Sequence, residues 1–154
     1  MEKRFGQIAS SYLIIQKSGQ VLLSRRLSTG YHDGEYSLVA GHVEKNETIR
    51  ECLVREAAEE AGIQINLKDI KLQHVLHRPS DATDDRRVDF FWSIDKWKGD
   101  PRIMEPDKCD EISWHAWDKI PKNTILYIRQ ALKCIRNKEI YSEFGWKEID
   151  KGEK

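Results

Sequence analysis

Cysteine is scarce in this chain, and what there is excludes a good deal. Cys52, Cys109 and Cys134 are odd in number, far apart and without a CxxC pair, so neither a disulfide framework nor a structural zinc site is expected. They read as reduced thiols of a cytoplasmic protein. An excess of either charge is also missing: Lys plus Arg and Asp plus Glu both number 26. No global field therefore draws the chain to nucleic acid or an anionic membrane, no lysine-rich track suits RNA, and any attraction for phosphate must be local. No apolar run approaches the ~18 residues of a membrane span, and the opening MEKRFGQIASS lacks the apolar centre of a signal peptide. A soluble, cytoplasmic protein is expected. There is no internal repeat and no low-complexity linker. The 154 residues suit one domain, 1–154, able to bury about two thirds of its unfolded surface, with a core over about 8–137 and a C-terminal tail, 138–154. Its charged end, KEIDKGEK, is expected to fray.

Apolar patterning supplies the elements. Tyr12–Gln16 and Val21–Arg25 are strand candidates joined through Ser18 and Gly19 as a hairpin. Tyr36–Ala40 is a short third strand, and Ile70–His77 another, broken at Pro79. From Val88 to Ile94 the alternation sets Val88, Phe90, Trp92 and Ile94 against Asp89, Phe91, Ser93 and Asp95, which predicts a half-buried strand. Ile112, Trp114 and Ala116 alternate again. After Pro121 a helix is expected from near Asn123, burying Ile125, Ile128, Leu132 and Ile135. Strands, a helix, more strands and a final helix predict an α/β sandwich with a mixed sheet.

The most informative stretch is Gly41–Ile63, GHVEKNETIRECLVREAAEEAGI. Thr48 with Glu51 three residues on forms a capping box, and Gly62 is a natural stop, so a helix over Ile49–Ala61 is expected. At ~100° per residue, Ile49, Leu53, Val54, Ala57 and Ala61 fall on one stripe, while Glu56, Glu59 and Glu60 share the adjoining arc. That arc is costly. Glu56 faces Glu59 at i+3 and Glu60 at i+4, about 0.2–0.5 kcal/mol per like-charge pair. Glu59 and Glu60 also stand in the last turn, where the helix dipole disfavours anions by about 0.3–1 kcal/mol each. A local rule broken without compensation marks a functional site, and the missing partner is a divalent cation. Three carboxylates with no nearby His or Cys make an oxygen-only donor set, suited to Mg²⁺ or Mn²⁺ rather than zinc or copper. Because Mg²⁺ takes few protein ligands and completes its shell from water and phosphate oxygens, the site points to phosphate chemistry.

The full spacing, with Gly41, Glu47, Arg55, Glu56, Glu59, Glu60, Gly62 and Ile63 at their fixed intervals, resembles the Nudix box of MutT-like hydrolases at every fixed position. A chance match is on the order of one in 10⁶. Ala57 stands where that family usually has a larger aliphatic, and Val39 precedes Ala40 and Gly41 where proline is common. The resemblance covers about Ser10–Ile135 and implies a Nudix-type α/β/α sandwich with helices on both sides of a mixed sheet. It implies a Mg²⁺-dependent pyrophosphohydrolase, with Mn²⁺ as substitute, cleaving the diphosphate linkage of a nucleoside diphosphate derivative. A canonical or oxidised nucleoside triphosphate, giving monophosphate and pyrophosphate, is one such substrate. Nucleotide sugars, dinucleoside polyphosphates and capped RNA are alternatives within the same chemistry, and a non-catalytic nucleotide-sensing module is an alternative outside it. In the implied site Glu56 and Glu60 are metal ligands, Glu59 is third ligand or general base, and the Ala40 carbonyl is a further ligand. Arg55 orients Glu47 and the loop. Relatives are often homodimers, but nothing in the sequence marks an interface.

Beyond the box, EPDKCDEISW (Glu105–Trp114) resembles a segment near the active site of Nudix enzymes acting on nucleoside triphosphates. Glu105 and Glu111 are thus candidate extra ligands. Arg25, Arg26, Arg78, Arg86 and Arg87 are candidate phosphate clamps, since a guanidinium matches phosphate oxygens in pairs. Trp92 and Tyr36 are candidates for base stacking, with the core as the alternative. His32, His42, His74, His77 and His115 have no ligand spacing; His42 is expected to be structural. The loops 29–35 and 78–87 shape the pocket.

Overall fold

The computed structural model describes residues 4–146; the KEIDKGEK end lies outside them. Strand β1 (Gln7–Lys17) turns through Ser18 and Gly19, both at positive φ (49° and 74°), into β2 (Gln20–Arg26). This is the two-residue turn whose twist suits a hairpin. There follow β3 (Tyr36–Ser37), β4 (Val39–His42), helix α1 (Ile49–Ala61), β5 (Lys71–Pro79), β6 (Arg86–Ile94), β7 (Cys109–Ala116), helix α2 (Leu126–Arg136) and β8 (Tyr141–Glu143). The β1–β2 hairpin pairs only at its tip, Gln16↔Val21 and Lys17↔Gln20. Below it β1 pairs with β4 from Ser10↔His42 to Leu13↔Val39, and on its other side runs parallel to β6. β2 instead pairs with β3 and β7. β5 lies antiparallel beside β6, with β8 parallel to it at the far edge. The sheet is mixed, as expected.

Each face of the sheet is covered by a helix. Along β1, Tyr12 and Ile14 join Leu23, Leu76, Phe91, Ile128 and Leu132 on the α2 side, while Leu13 and Ile15 join Leu53, Ala57, Ile63 and Ile94 on the α1 side. Two covered faces explain why this strand reads as a continuous apolar run. The layering is that of an α/β/α sandwich.

Three expectations need correction. Strand β6 is covered on both faces rather than half-buried: Asp89 and Phe91 are fully buried and Ser93 nearly so, and Val88, Phe90 and Trp92 on the other face are partly buried. β6 is an interior strand covered on both sides, so neither face had to be polar, and Asp89 is matched by Arg78. Helix α2 begins at Leu126 rather than near Asn123, because the preceding backbone is used by β3: Tyr36 N–H donates to the Asn123 carbonyl (2.9 Å) and Ile125 N–H to the Tyr36 carbonyl (3.0 Å). Finally, the predicted tail contains β8. His74, with no exposed surface, is hydrogen-bonded through Nδ1 to the Glu139 carbonyl (2.8 Å) and through Nε2 to the Ser142 hydroxyl (2.7 Å), and Phe144 packs on the core.

Candidate active site on the carboxylate helix

Helix α1 has the predicted bounds and caps. Thr48 Oγ1 accepts from Glu51 N–H (3.1 Å), Glu51 Oε2 accepts from Thr48 N–H (3.2 Å), and Gly62 closes the helix in the left-handed region at φ 67°. Its Leu53, Ala57 and Ala61 are fully buried against the sheet. The shortened side chain at position 57 therefore lies in the helix–sheet contact, away from the acids. Packing this stripe turns the neighbouring arc toward β4. There Gly41 makes room: a Cβ at that position would overlap the Glu56 carboxylate, so any other residue displaces Glu56.

Arg55 organises the loop before the helix. Its Nε and Nη2 donate to both oxygens of Glu47 (3.0 and 2.7 Å), a fork-to-fork pair. Nη1 donates to Glu56 Oε1 (2.5 Å) and, more distantly, to Glu59 Oε2 (3.3 Å), and Nη2 also reaches the His42 carbonyl (3.3 Å). The hydrogen bonds from Arg55 hold the Glu47 carboxyl down at about 2. Arg55 is accordingly tied to protein carboxylates, as the sequence leads one to expect.

The three acids differ in setting. Glu56 is 9% exposed, and burial lifts its pKa. Glu60, whose Oε2 accepts from Ala40 N–H (3.2 Å), is pushed well above the carboxylate range by burial and then by the adjacent Glu56. Glu59 is more than half exposed. All three line one cleft of about 550 Å³ together with Ala40, Arg26 and Glu105. The cleft lies between β2 and β4, strands that do not pair with each other. No three His, Cys, Asp or Glu side chains among the described residues are preassembled as a metal cage. The donor set nonetheless fits a hard divalent cation. Two like charges forced together away from water are the strain such an ion relieves, and Mg²⁺ needs only one or two carboxylates from the protein.

The structure sorts the remaining candidates. Glu105 is in the cleft; Glu111 is not, being held by the Tyr36 and Ser113 hydroxyls. Arg25 is half-exposed and paired with Asp110 (2.9 and 3.0 Å). Arg86 lies near Phe5 and Trp146. Trp92 and Tyr36 pack in or against the core. Arg26, Arg78 and Arg87 come together in a second cavity of about 250 Å³ on the other side of Ala40. Arg87 Nη1 donates to His42 Nε2 (2.6 Å), and burial with the nearby Arg87 charge lowers the His42 pKa. Sequence reasoning missed Tyr31, Tyr127, Asp81 and Asp89 in this region. Tyr31 and His32 from loop 28–35 reach across to Asp81 in loop 80–85. The Tyr31 and Tyr12 hydroxyls both meet that of Tyr127 (3.4 and 3.2 Å). The one available signal was Asp89, an acid inside an apolar strand.

Comparison with known proteins agrees with this architecture. The NUDIX domain family model matches residues 6–133. The NAD-capped RNA hydrolases NudC of Shigella dysenteriae serotype 1 and Escherichia coli (strain K12 / DH10B) are each 27% identical over 121 residues, 78% of this chain and 44% of those proteins. The chain thus spans less than half the length of these relatives. The crystal structure of a MutT NUDIX hydrolase from Burkholderia pseudomallei superposes with a TM-score of 0.76 at 26% identity, covering 83% of this chain and 97% of that one. A MutT protein from Methanosarcina mazei Go1, at 21% identity and a TM-score of 0.73 over 88% and 97% of the two chains, shares the fold. A box complete at every fixed position, set on the helix and loop that its spacing demands, and a family match over most of its length place this chain in the NUDIX domain family, hydrolases that act on diphosphate bonds and generally require a divalent metal.

Proposed function

We propose that the chain is a Mg²⁺-dependent pyrophosphohydrolase that cleaves the diphosphate linkage of a nucleoside diphosphate derivative in the cytoplasm, with canonical and oxidised nucleoside triphosphates as the first substrates to test. The observation that carries this reading is the shared cleft of Glu56, Glu59 and Glu60, in which burial and then the adjacent Glu56 push the Glu60 pKa up. Glu56 and Glu60, with the Ala40 carbonyl, are the residues to hold the metal. When bound, a divalent cation neutralises charge on the diphosphate oxygens and makes water easier to deprotonate. Glu59 is the most exposed of the three acids and only weakly engaged by Arg55, which leaves it free to accept the proton of the attacking water. The water oxygen bonds to one phosphorus as the bridging P–O bond breaks, and the second phosphate leaves with that electron pair. Arg55 positions: it fixes Glu47 in the loop and holds one oxygen of Glu56.

The activity of the NudC relatives, on NAD-capped RNA, favours a second reading in which the diphosphate joins two nucleotide halves, as in NAD itself. Purified protein with excess Mg²⁺, offered triphosphates, nucleotide sugars and dinucleotides with products separated by chromatography, decides between them. Monophosphate plus pyrophosphate supports the first reading, and two monophosphates the second. The variant Glu56→Gln is expected to lose at least about a hundredfold in kcat while keeping the wild-type circular dichroism spectrum. No turnover of any substrate by wild type that still binds Mg²⁺ would refute hydrolysis and leave a nucleotide-sensing module.

A further inference from the structure

The 250 Å³ cavity beside the cleft shares Ala40 and Arg26 with it, so the two lie side by side. It falls below the ~300–1,000 Å³ of pockets for whole drug-sized ligands, and suits a substituent rather than a complete nucleotide. Its lining contains Arg26, Arg78 and Arg87 and five hydroxyl-bearing side chains from tyrosine and serine beyond Ser10, and no Asp or Glu. Arg78 is only 4% exposed. Its Nε donates to Asp89 Oδ2 (2.6 Å), while its Nη1 comes no nearer to Asp81 than 3.9 Å. The Arg87 side chain is 12% exposed, and its Nε is buried without a hydrogen-bond partner among the described residues. A buried guanidinium N–H left unpaired is costly, and an anion is the natural partner. The aromatic surfaces that would stack on a base are already engaged: Tyr12 lies on Phe91 (4.7 Å, 14°) and Tyr127 holds the Arg78 guanidinium 3.6 Å from its centroid. Beside the apolar Ala40, Ala82 and Ile125 and the His42 imidazole, what remains toward the cavity is cationic and hydroxylic.

We infer that this cavity receives a second anionic group of the substrate, a phosphate or carboxylate on the part beyond the scissile diphosphate, held by Arg87 and Arg78. The inference rests on the reading of the carboxylate cleft as the hydrolytic site. The substrate class narrows accordingly, from any nucleoside diphosphate derivative to one whose second half carries its own negative charge. Arg87 acts here as a specificity residue and takes no part in the bond cleavage.

The test uses two matched pairs, NADP against NAD for a phosphate and UDP-glucuronate against UDP-glucose for a carboxylate. Binding is measured by calorimetric titration of the chelator-treated protein, so that no turnover intrudes, and hydrolysis is measured separately with Mg²⁺. Wild type is expected to bind the charged member of at least one pair about tenfold tighter, and the pair that responds tells phosphate from carboxylate. Arg87→Met is expected to abolish the preference, the charged member losing about tenfold more affinity than the neutral one. Arg87→Gln, nearer in shape, serves if the methionine variant melts early; Arg78 is avoided because its loss strands Asp89. Equal binding of both members in both pairs, or a preference that survives both Arg87 variants, overturns the inference. The two readings fail separately. A preference for charge with no hydrolysis of these compounds or of any triphosphate removes the hydrolytic function and leaves the anion pocket, whereas hydrolysis without preference does the reverse.

Discussion

At the scale of single residues, Arg55 and Glu47 show how a charge can serve a site without touching a substrate. Glu47 sits at about 2 because Arg55 engages both its oxygens, against an ordinary value of 4.5. A carboxyl depressed on folding contributes stability that is fully present above its unfolded pKa and disappears as pH falls through its folded one. The contribution should therefore be complete above pH 4.5 and lost toward pH 2. Urea unfolding at pH 7 and at pH 3 is expected to show Glu47→Gln less stable than wild type at the first pH, with the gap narrowed at the second. An unchanged gap would mean that the pair acts through shape alone. Arg55→Lys should reproduce much of the loss at neutral pH, since an ammonium cannot span both oxygens.

At the scale of elements, what the sequence made legible was local. The caps of α1, its bounds and the shared arc of Glu56, Glu59 and Glu60 all lie within Gly41–Gly62, where spacing along the chain fixes position in space. Asp89 and β8 were not legible, because each depends on partners far away in sequence: Arg78 for the first, and His74 and Gln130 for the second. A buried carboxylate inside an apolar strand looks like an outward position until its guanidinium is known. Three residues after a helix look like a frayed end until a histidine on β5 takes their hydroxyl. Ser142→Ala removes that partner from the fully buried His74 and should cost about 1–3 kcal/mol, read from chemical denaturation. The loss should come without change in metal affinity, since β8 lies at the sheet edge beyond β5. A loss in metal affinity would show the edge to be coupled to the cleft.

At the scale of the molecule, cation binding and folding are linked. Glu56 and Glu60 face each other only once α1 has formed, and Ala40 joins them only when α1 packs on β4, so a divalent ion binds the folded chain in preference to the unfolded one. At a concentration a hundred times its dissociation constant it adds about 2.7 kcal/mol, which for a domain of this size raises Tm by about 5–10 °C. Thermal melts with and without Mg²⁺ should show this rise in wild type and its loss in the double variant Glu56→Gln, Glu60→Gln. An identical rise in the double variant would place the ion elsewhere.

The division between the two cavities also bears on how such a chain can diverge. The acids and their organising arginine occupy one continuous stretch, Gly41–Gly62, whereas the neighbouring cavity takes only Gly41 and His42 from that stretch and is otherwise walled by pieces of β1 to β6, loops 28–35 and 80–85 and the start of α2. A length change in loop 80–85, which lines the second cavity and not the cleft, can therefore reshape what is admitted while the reacting geometry is inherited intact. Selection can work on the two halves independently, and a new substrate requires no new chemistry.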